Sequence, residues 1–192
     1  MEDKRFEIYL QELLEWNKKF NLTAVTEPDE IKIRHFEDSL SILQAIEIND
    51  QKIADIGSGA GFPGVPLKIV RPNIRLTIIE ATKKKTVFLN HLIKALDLKG
   101  VEIIWGRAET IKRADFDIVL ARAVAKLNKL AVYGLHLLKK GGILVAMKQD
   151  EVEKELGEAK ENIKKSGGRL KEIKKVNVGG IIRSLVIIEK IR

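Results

Sequence analysis

Residues 53–64 read Ile-Ala-Asp-Ile-Gly-Ser-Gly-Ala-Gly-Phe-Pro-Gly, and this stretch decides the fold. A short apolar run, residues 53–56, leads directly into a cluster of glycines and then into the start of a helix at Gly64. Nucleotides bind at such a point of a parallel sheet, because glycines allow the backbone to turn sharply and approach a ligand closely. The stretch therefore predicts a parallel sheet that binds a nucleotide-like ligand at its carboxyl edge.

The spacing of the glycines excludes two common nucleotide sites. A dinucleotide fingerprint needs a third glycine where this chain has Phe62. A P-loop also fails: Gly59 and Gly64 have the required separation, but Val65 and Pro66 replace the obligatory Lys and Ser/Thr. The sequence thus predicts neither NAD nor a phosphate clamp.

The remaining pattern is an acidic residue, Asp55, followed by Gly57, Gly59 and Gly61 at alternate positions. This pattern resembles the first motif of Rossmann-like methyltransferases that use S-adenosylmethionine (SAM). Glu80 ends the second predicted strand, at about the twenty-residue offset where a carboxylate binds ribose hydroxyls. Glu80 alone would more often be a solvated strand end. Together with the glycine turn it favours SAM as the cofactor, and the expected contacts are Asp55, Gly57, Gly59, Gly61 and Glu80. Ala108 and Glu109, just past the third strand, would then flank the adenine ring; an ordinary helix start at residues 106–109 is the alternative.

The chain from residue 53 onward alternates short apolar runs with longer amphipathic ones, which indicates a parallel sheet covered by helices. The predicted strands are residues 53–56, 75–80, 101–105, 116–121, 142–147, 169–178 and 182–191. The predicted helices are residues 64–70, 83–96, 127–138 and 151–165. Gly179 and Gly180 join the last two strands, which predicts a C-terminal antiparallel hairpin at the sheet edge. The fold class is therefore α/β, Rossmann-like, with a seven-stranded and mostly parallel sheet.

The first fifty residues differ from the rest of the chain. One helical face carries Phe6, Leu10, Leu13 and Leu14, and a second helix is predicted to begin near Pro28. Residues 1–50 are therefore predicted to be an N-terminal helical appendage. Residues 51–192 are predicted to be the methyltransferase domain, and the two parts to form one structural unit.

Charge is distributed unevenly along the chain. Residues 1–50 hold 6 Lys and Arg against 12 Asp and Glu, a net charge of −6, whereas residues 51–192 hold 29 against 15, a net charge of +14. Clustered cations gain affinity for polyanions by releasing counterions from phosphates, so this asymmetry favours a nucleic-acid partner. Charge that only keeps the protein in solution explains it equally well.

The absence of cysteine excludes disulfides, thiolate-bound zinc and mechanisms built on a Cys nucleophile, and no metal is expected. No stretch is long and apolar enough to span a membrane. The N-terminus, MEDKRFEIYL, is acidic and amphipathic, unlike a secretory signal. A cytoplasmic location is expected.

The chemistry of the acceptor narrows the reaction. Methylation of cytosine C5 needs a Cys that adds to the ring, and exocyclic amine transfer usually relies on an Asn/Asp-Pro-Pro-aromatic turn after the fourth strand. This chain has no Cys, and residues 120–124 read Leu-Ala-Arg-Ala-Val. Guanine N7 carries an in-plane lone pair and no proton, so the enzyme needs mainly positioning. Arg122 suits that role, since arginine geometry matches a guanine edge; a surface ion pair with Asp117 or a neighbour is the alternative.

Four segments together resemble the RsmG family, also called GidB, and the match spans essentially the whole chain. They are Trp16-Asn-Lys-Lys-Phe-Asn21-Leu-Thr23, Arg34-His35-Phe36-Glu-Asp38-Ser39-Leu, residues 55–64 and Ala121-Arg122-Ala. The resemblance implies methylation of guanine N7 at position 527, in the conserved 530 loop of bacterial 16S ribosomal RNA. The expected partner is that RNA or the small ribosomal subunit, and a monomer is expected. The resemblance places cofactor contacts at Gly57, Phe62, Ala108, Glu109 and Arg122.

Three residues are candidates for RNA contact: Arg34, His35 and Lys148. On helical spacing alone Arg34 would form a routine ion pair with Asp38, and only the resemblance favours RNA or a lid over the cofactor. Lys148 ends the fifth predicted strand, where it meets phosphate or is simply solvated. The run Lys83-Lys84-Lys85 opens a helix, where cations are disfavoured, and so suggests an anionic partner.

Two other functions stay open on the sequence. One is a methyltransferase that acts on a small molecule or a protein, which would work without RNA. The other is a non-catalytic RNA- or nucleotide-binding protein that retains only the fold. The intact glycine turn with Glu80 argues against the second, because a decayed site would be expected to lose these residues.

Overall fold

A seven-stranded sheet forms the centre of the protein in the computed structural model, which describes residues 2–192. Its strands are β1 (Lys52–Ile56), β2 (Arg75–Glu80), β3 (Val101–Trp105), β4 (Phe116–Arg122), β5 (Leu138–Gln149), β6 (Gly168–Val178) and β7 (Ile181–Lys190). The strand order is β3-β2-β1-β4-β5-β7-β6. Strands β1 to β5 run parallel, and β6 and β7 form an antiparallel hairpin that pairs with β5 through β7. The predicted fold class is confirmed.

Six helices surround the sheet. They are α1 (Arg5–Phe20), α2 (residues 28–44), α3 (Gly64–Val70), α4 (Lys83–Ala95), α5 (Leu127–Leu135) and α6 (Glu153–Lys165). Helix α2 is irregular, since its second part, Lys32–Glu37, is a π-helix. Buried apolar residues of α1 to α4 pack on one face of the sheet, and those of α5 and α6 on the other. The parallel strands are nearly continuous apolar runs because both of their faces are covered.

The largest boundary error concerns helix α5. The sequence predicts a helix over residues 127–138 and a strand from residue 142, whereas the helix ends at Leu135 and β5 begins at Leu138. Leu138 pairs with Phe116 of β4, and the register shifts between Phe116 and Ile118. The start of β5 is therefore an irregular extension that lies beside β4. Leu138 is only 2% exposed, and its burial against the sheet outweighs the helical pattern.

The N-terminal helices share their core with the sheet. Phe6, Tyr9 and Leu13 of α1 are buried, and so is Phe36 of α2. Leu10 and Leu14 are only partly buried, so the apolar face of α1 is rotated from the predicted one toward Tyr9. The aromatic rings of Phe6 and Tyr9 both lie next to the ring of Phe36.

Within residues 2–192, no helix has the length and apolar character needed to cross a bilayer.

Candidate active site

The glycine turn after β1 needs its glycines for conformation and for space. Gly57, Gly59 and Gly61 have φ values of +63°, +63° and +105°, which residues with a side chain rarely adopt. A Cβ at Gly57 would also lie 2.9 Å from Cγ2 of Val124, and one at Gly61 would lie 2.6 Å from the hydroxyl of Tyr9. The turn therefore presents bare backbone at the carboxyl edge of the sheet.

Asp55 supports this turn from inside the protein. Its side chain is fully buried, and its Oδ2 accepts a hydrogen bond of 2.8 Å from the backbone N–H of Gly64. Its Oδ1 has no hydrogen-bond partner among the described residues. Burial raises the pKa of Asp55 to about 7. Asp55 thus holds the start of α3 against the end of β1, and its expected contact with the cofactor stays a prediction.

Glu80 lies beside the turn at the end of β2. Its side chain is 5% exposed, and its two carboxylate oxygens accept hydrogen bonds from the N–H groups of Gly59 (3.0 Å) and Thr82 (2.8 Å). These bonds fix a carboxylate directly next to bare glycine backbone. This arrangement fits the ribose of SAM, because a carboxylate at this place can accept hydrogen bonds from both ribose hydroxyls.

Ala108 and Glu109 follow β3 in a single 3₁₀ turn, Ala108–Thr110, and not in the ordinary helix that was the alternative. Ala108 is buried, and Glu109 is exposed. The N–H of Gly106 donates to the backbone oxygen of Glu80 over 3.0 Å, which ties this turn to the second strand. The predicted adenine-side residues therefore lie at the same sheet edge as the predicted ribose-side carboxylate.

Arg122 ends β4, and its guanidinium is held by the N-terminal part of the chain. Its Nη1 donates to Oδ2 of Asp38 (2.8 Å) and to the backbone oxygen of Arg34 (3.1 Å). The guanidinium carbon lies 5.0 Å from the centre of the Phe62 ring, a cation–π contact. The Arg122 side chain is only 15% exposed, so its position is well defined.

His35 stacks on Phe62 next to Arg122, whose Nη2 lies 3.3 Å from Nδ1 of His35. The two rings are stacked with their centres 4.6 Å apart, and His35 Nε2 lies 2.7 Å from the hydroxyl of Thr23. Burial, and then the nearby charge of Arg122, lower the pKa of His35 to about 4. His35 is therefore a neutral imidazole at neutral pH.

Asn17 holds the segment of residues 16–23 in contact with the site. Its Oδ1 accepts hydrogen bonds from the N–H groups of Leu22 (2.6 Å) and Thr23 (2.9 Å). Asn21 ends α1 in a left-handed conformation, with φ of +49°, which asparagine tolerates better than most residues. Together these contacts place the hydroxyl of Thr23 where it meets His35.

Arg183 joins Arg122, Asp38 and His35 in a group called the arginine cluster below. The sequence did not reveal this fourth member. It lies on β7, and its Nε donates to Oδ1 of Asp38 over 2.8 Å. Asp38 is 3% exposed and is thus held between two arginines. No local pattern marks Arg183, because it is one of many charged residues in the C-terminal hairpin.

A cleft of about 330 Å³ opens beside this cluster. It lies at the carboxyl ends of β4 and β5, where the antiparallel β7 begins. Its lining includes Arg34, His35, Asp38, Arg122, Gln149 and Arg183. The cleft is predominantly cationic, which suits an electron-rich base or a phosphate.

Two expected environments are wrong. Lys148 is not solvated: its Nζ donates to Glu155 and to the backbone oxygen of Ala125, each over 2.7 Å, and its side chain is 16% exposed. Its contact with phosphate stays a prediction. Arg34 does not pair with Asp38 but with Glu30, at 3.4 Å. In both cases an acidic side chain that lies close in the folded protein pairs with the cation, in place of the solvent or the partner expected from the sequence.

The alternative for Arg122, an ion pair with Asp117, is also wrong. Asp117 pairs with Lys139 and accepts a hydrogen bond from the N–H of Lys52, at the opposite end of β4. Side chains at the two ends of an extended strand cannot meet.

The fold and the site define a Rossmann-like SAM-dependent methyltransferase. The profile of the family described as rRNA small subunit methyltransferase G, GidB, matches residues 2–186, and this chain belongs to that family.

Individual relatives agree with this assignment. The ribosomal RNA small subunit methyltransferase G of Thermoanaerobacter pseudethanolicus is 42% identical over 98% of this chain and 82% of its own length. The protein of the same name from Dehalococcoides mccartyi is 44% identical over 97% of this chain and 83% of its own. The crystal structure of M. jannaschii TYW2 in complex with AdoMet is 19% identical and superposes with a TM-score of 0.64, over 81% of this chain and 77% of that one. At that identity the likeness concerns the fold alone.

Proposed function

We propose that this protein transfers a methyl group from SAM to N7 of guanine 527 in the 530 loop of bacterial 16S ribosomal RNA, with Arg122 as the residue that positions the reactants. The observation that carries the assignment of Arg122 is its place between the glycine turn and the cationic cleft, where Asp38 fixes its guanidinium. Membership of the methyltransferase G family supports the substrate.

The proposed reaction needs no general base. When bound, SAM supplies an electrophilic methyl group on a sulfonium, and the lone pair of guanine N7 takes it as the carbon–sulfur bond breaks. No proton leaves the base. The residues of the site agree with this chemistry, because the lowered pKa of His35 makes it a weak proton acceptor and Asp55 is sealed inside the protein. Orientation by fixed groups such as Arg122 can by itself lower the activation barrier by several kcal/mol.

The cofactor is proposed to lie across the carboxyl ends of β1, β2 and β4. Glu80 would accept the ribose hydroxyls, and Ala108 and Glu109 would flank the adenine. Asp55 would act indirectly, by holding the turn. The other proposed cofactor contacts are Gly57, Gly59, Gly61, Phe62 and Arg122.

The target guanine is proposed to enter the cleft next to Arg122. Arg34 and His35 line that cleft, which supports their assignment to RNA binding. Lys148 also lines it, but its ammonium group donates hydrogen bonds to Ala125 and Glu155. These bonds support a structural role for Lys148. The net charge of +14 on residues 51–192 supports a polyanionic partner, either 16S rRNA or the small ribosomal subunit.

We further propose that the protein acts in the cytoplasm as a monomer, and that residues 1–50 form one working unit with residues 51–192. The site takes Asp38 and His35 from the first part and Arg122 from the second, and one chain supplies all of them. Light scattering on the purified protein tests the monomer directly; a stable dimer would contradict it.

The test of the function is transfer of tritiated methyl from SAM to 16S rRNA that lacks this modification. The product is mapped by the chain scission that N7-methylguanine permits. Label at a single guanine of the 530 loop is the expected result. Binding of SAM without labelling of RNA would direct the search to a small-molecule or protein acceptor. Repeating the assay with intact small subunits identifies the preferred form of the substrate.

A further inference from the structure

Trp105 is the most exposed large apolar side chain of the described residues, with 61% of its surface accessible. It ends β3, the edge strand of the sheet, and stands in register with Glu80 on β2. It lies at the same edge as the proposed cofactor and acceptor sites, but it belongs to neither.

The indole of Trp105 is held in a defined position. Its Nε1 donates to the backbone oxygen of Ala81 over 3.0 Å, and the Nζ of Lys83 lies 5.1 Å from the centre of the ring. These two contacts limit rotation of the side chain although the ring remains exposed. A fixed and exposed aromatic ring loses little conformational freedom when a flat ligand stacks on it.

Lys83 lies over the ring, and two further exposed cations are close to Lys83 or Trp105 in the chain. Lys83 and Lys84 at the start of α4 and Arg107 after β3 are exposed. Glu109 is the nearby anion, and it lies 4.0 Å from Arg107. An aromatic ring among cations is the combination that binds single-stranded nucleic acid, because bases stack on the ring while the cations meet the phosphates.

The position of Trp105 relative to Arg122 fits a continuous strand of RNA. Both residues end their strands at the carboxyl edge, and the order β3-β2-β1-β4 separates them by three strand spacings, about 14 Å. A nucleotide on Trp105 is therefore not the target base but another nucleotide of the same unpaired segment. Unpaired loops are the usual target of sequence-specific RNA recognition.

We propose that Trp105 is a stacking platform for an unpaired base of the substrate RNA, away from the methylated guanine, with Lys83 and Lys84 meeting the adjoining phosphates. The proposal rests on the proposed function, since it assigns a second contact to the same RNA. It adds a base-binding site on the edge strand to the acceptor cleft.

Steady-state kinetics with unmodified 16S rRNA test this site in Trp105→Ala, Trp105→Phe and Val132→Ala. Val132 is a matched control, since it is 51% exposed and lies on α5, which packs on the opposite face of the sheet. Stacking contributes about 1–3 kcal/mol per base, so Trp105→Ala should raise the KM for RNA about 5- to 150-fold. The Kd of SAM, measured by calorimetry without RNA, should stay unchanged. Trp105→Phe should recover most of the loss, and Val132→Ala should behave like the parent protein.

Fluorescence gives a second readout that does not depend on turnover. In a Trp16→Phe background Trp105 is the single tryptophan, and an oligoribonucleotide of the 530-loop sequence should quench its emission by stacking. An unchanged KM for Trp105→Ala, or a loss confined to SAM binding, would overturn the platform while leaving the proposed function intact. Failure of the parent protein to methylate rRNA would instead remove the proposed function, and the platform with it.

Discussion

The Nη1 atom of Arg122 lies 2.8 Å from Oδ2 of Asp38, and the Nε of Arg183 lies 2.8 Å from Oδ1 of the same carboxylate. One buried carboxylate from the N-terminal part of the chain thus orients the arginine that ends the fourth strand. Removing one member of such a buried group leaves the others with uncompensated charge, so the arrangement is sensitive to single changes.

Asp38→Asn should leave the protein folded but cut kcat/KM for methyl transfer roughly 100-fold, because a shift of about 1 Å in a positioning group has that effect. Arg122→Ala should lose at least as much. Transfer of tritiated methyl to unmodified 16S rRNA measures both changes. Glu30→Gln is the matched control, since it removes only the exposed partner of Arg34. Parent-like turnover in Asp38→Asn would show that the carboxylate does not orient Arg122.

Glu80→Gln should weaken SAM binding about 10- to 150-fold, because hydrogen bonds to a charged group contribute about 1.5–3 kcal/mol. The change keeps the size of the side chain while removing the charge and one acceptor. Calorimetry with SAM alone measures the Kd. Glu102→Gln on the neighbouring strand is the control: it alters an ion pair with Arg113 that lies at the other end of the sheet. If the two variants bind SAM with equal affinity, Glu80 does not contact the ribose.

His35 should titrate near pH 4 in an NMR experiment, far below its ordinary pKa of about 6.5. Its folded-state pKa is lowered, so its contribution to stability is present above pH 6.5 and is lost as the pH falls toward 4. The protein should therefore lose more free energy of unfolding between pH 7 and pH 4.5 than His35→Phe, which keeps a ring against Phe62. Arg122→Met should raise the pKa of His35, because it removes the positive charge that, after burial, lowers this pKa most. A parent titration near pH 6.5 would contradict this account.

Lys148→Met should lower the free energy of unfolding by about 1–3 kcal/mol, because Glu155 and the carbonyl of Ala125 lose a shared donor. The KM for RNA should stay near that of the parent protein. Lys126→Met is the control, since the Lys126 side chain is 72% exposed and its ammonium lies 3.8 Å from Glu158. Urea unfolding and methyl-transfer kinetics separate the two outcomes: intact stability with a raised KM would restore Lys148 to the RNA-binding residues.

Local sequence was sufficient for the glycine turn and its carboxylate. The conformations of Gly57, Gly59 and Gly61 and the place of Glu80 depend on a strand, a turn and a second strand that are close in the chain. Alternation of apolar runs likewise predicted every strand, because both faces of a parallel sheet must be buried. The error at Leu138 arose where a helical pattern and an irregular strand extension competed for the same residues.

The arginine cluster could not be predicted in the same way. Asp38 and Arg122 are 84 residues apart, and Asp38 and Arg183 are 145 apart, so no spacing rule relates them. Spacing instead suggested pairs between Arg34 and Asp38 and between Arg122 and Asp117, and neither pair forms. Ion pairs depend on distances of a few ångströms between side chains, which are set only when helices and strands pack together.

The sequence by itself thus determined the order of strands and helices, the conformation of the glycine turn and the family of the protein, because these depend on neighbouring residues and on burial patterns. Only the tertiary structure decided which cations remain available to a substrate. Lys148 pairs with Glu155, Arg122 is fixed by Asp38, and Trp105 stands exposed beside Lys83, since the choice of a partner for each side chain is made in space and not along the chain.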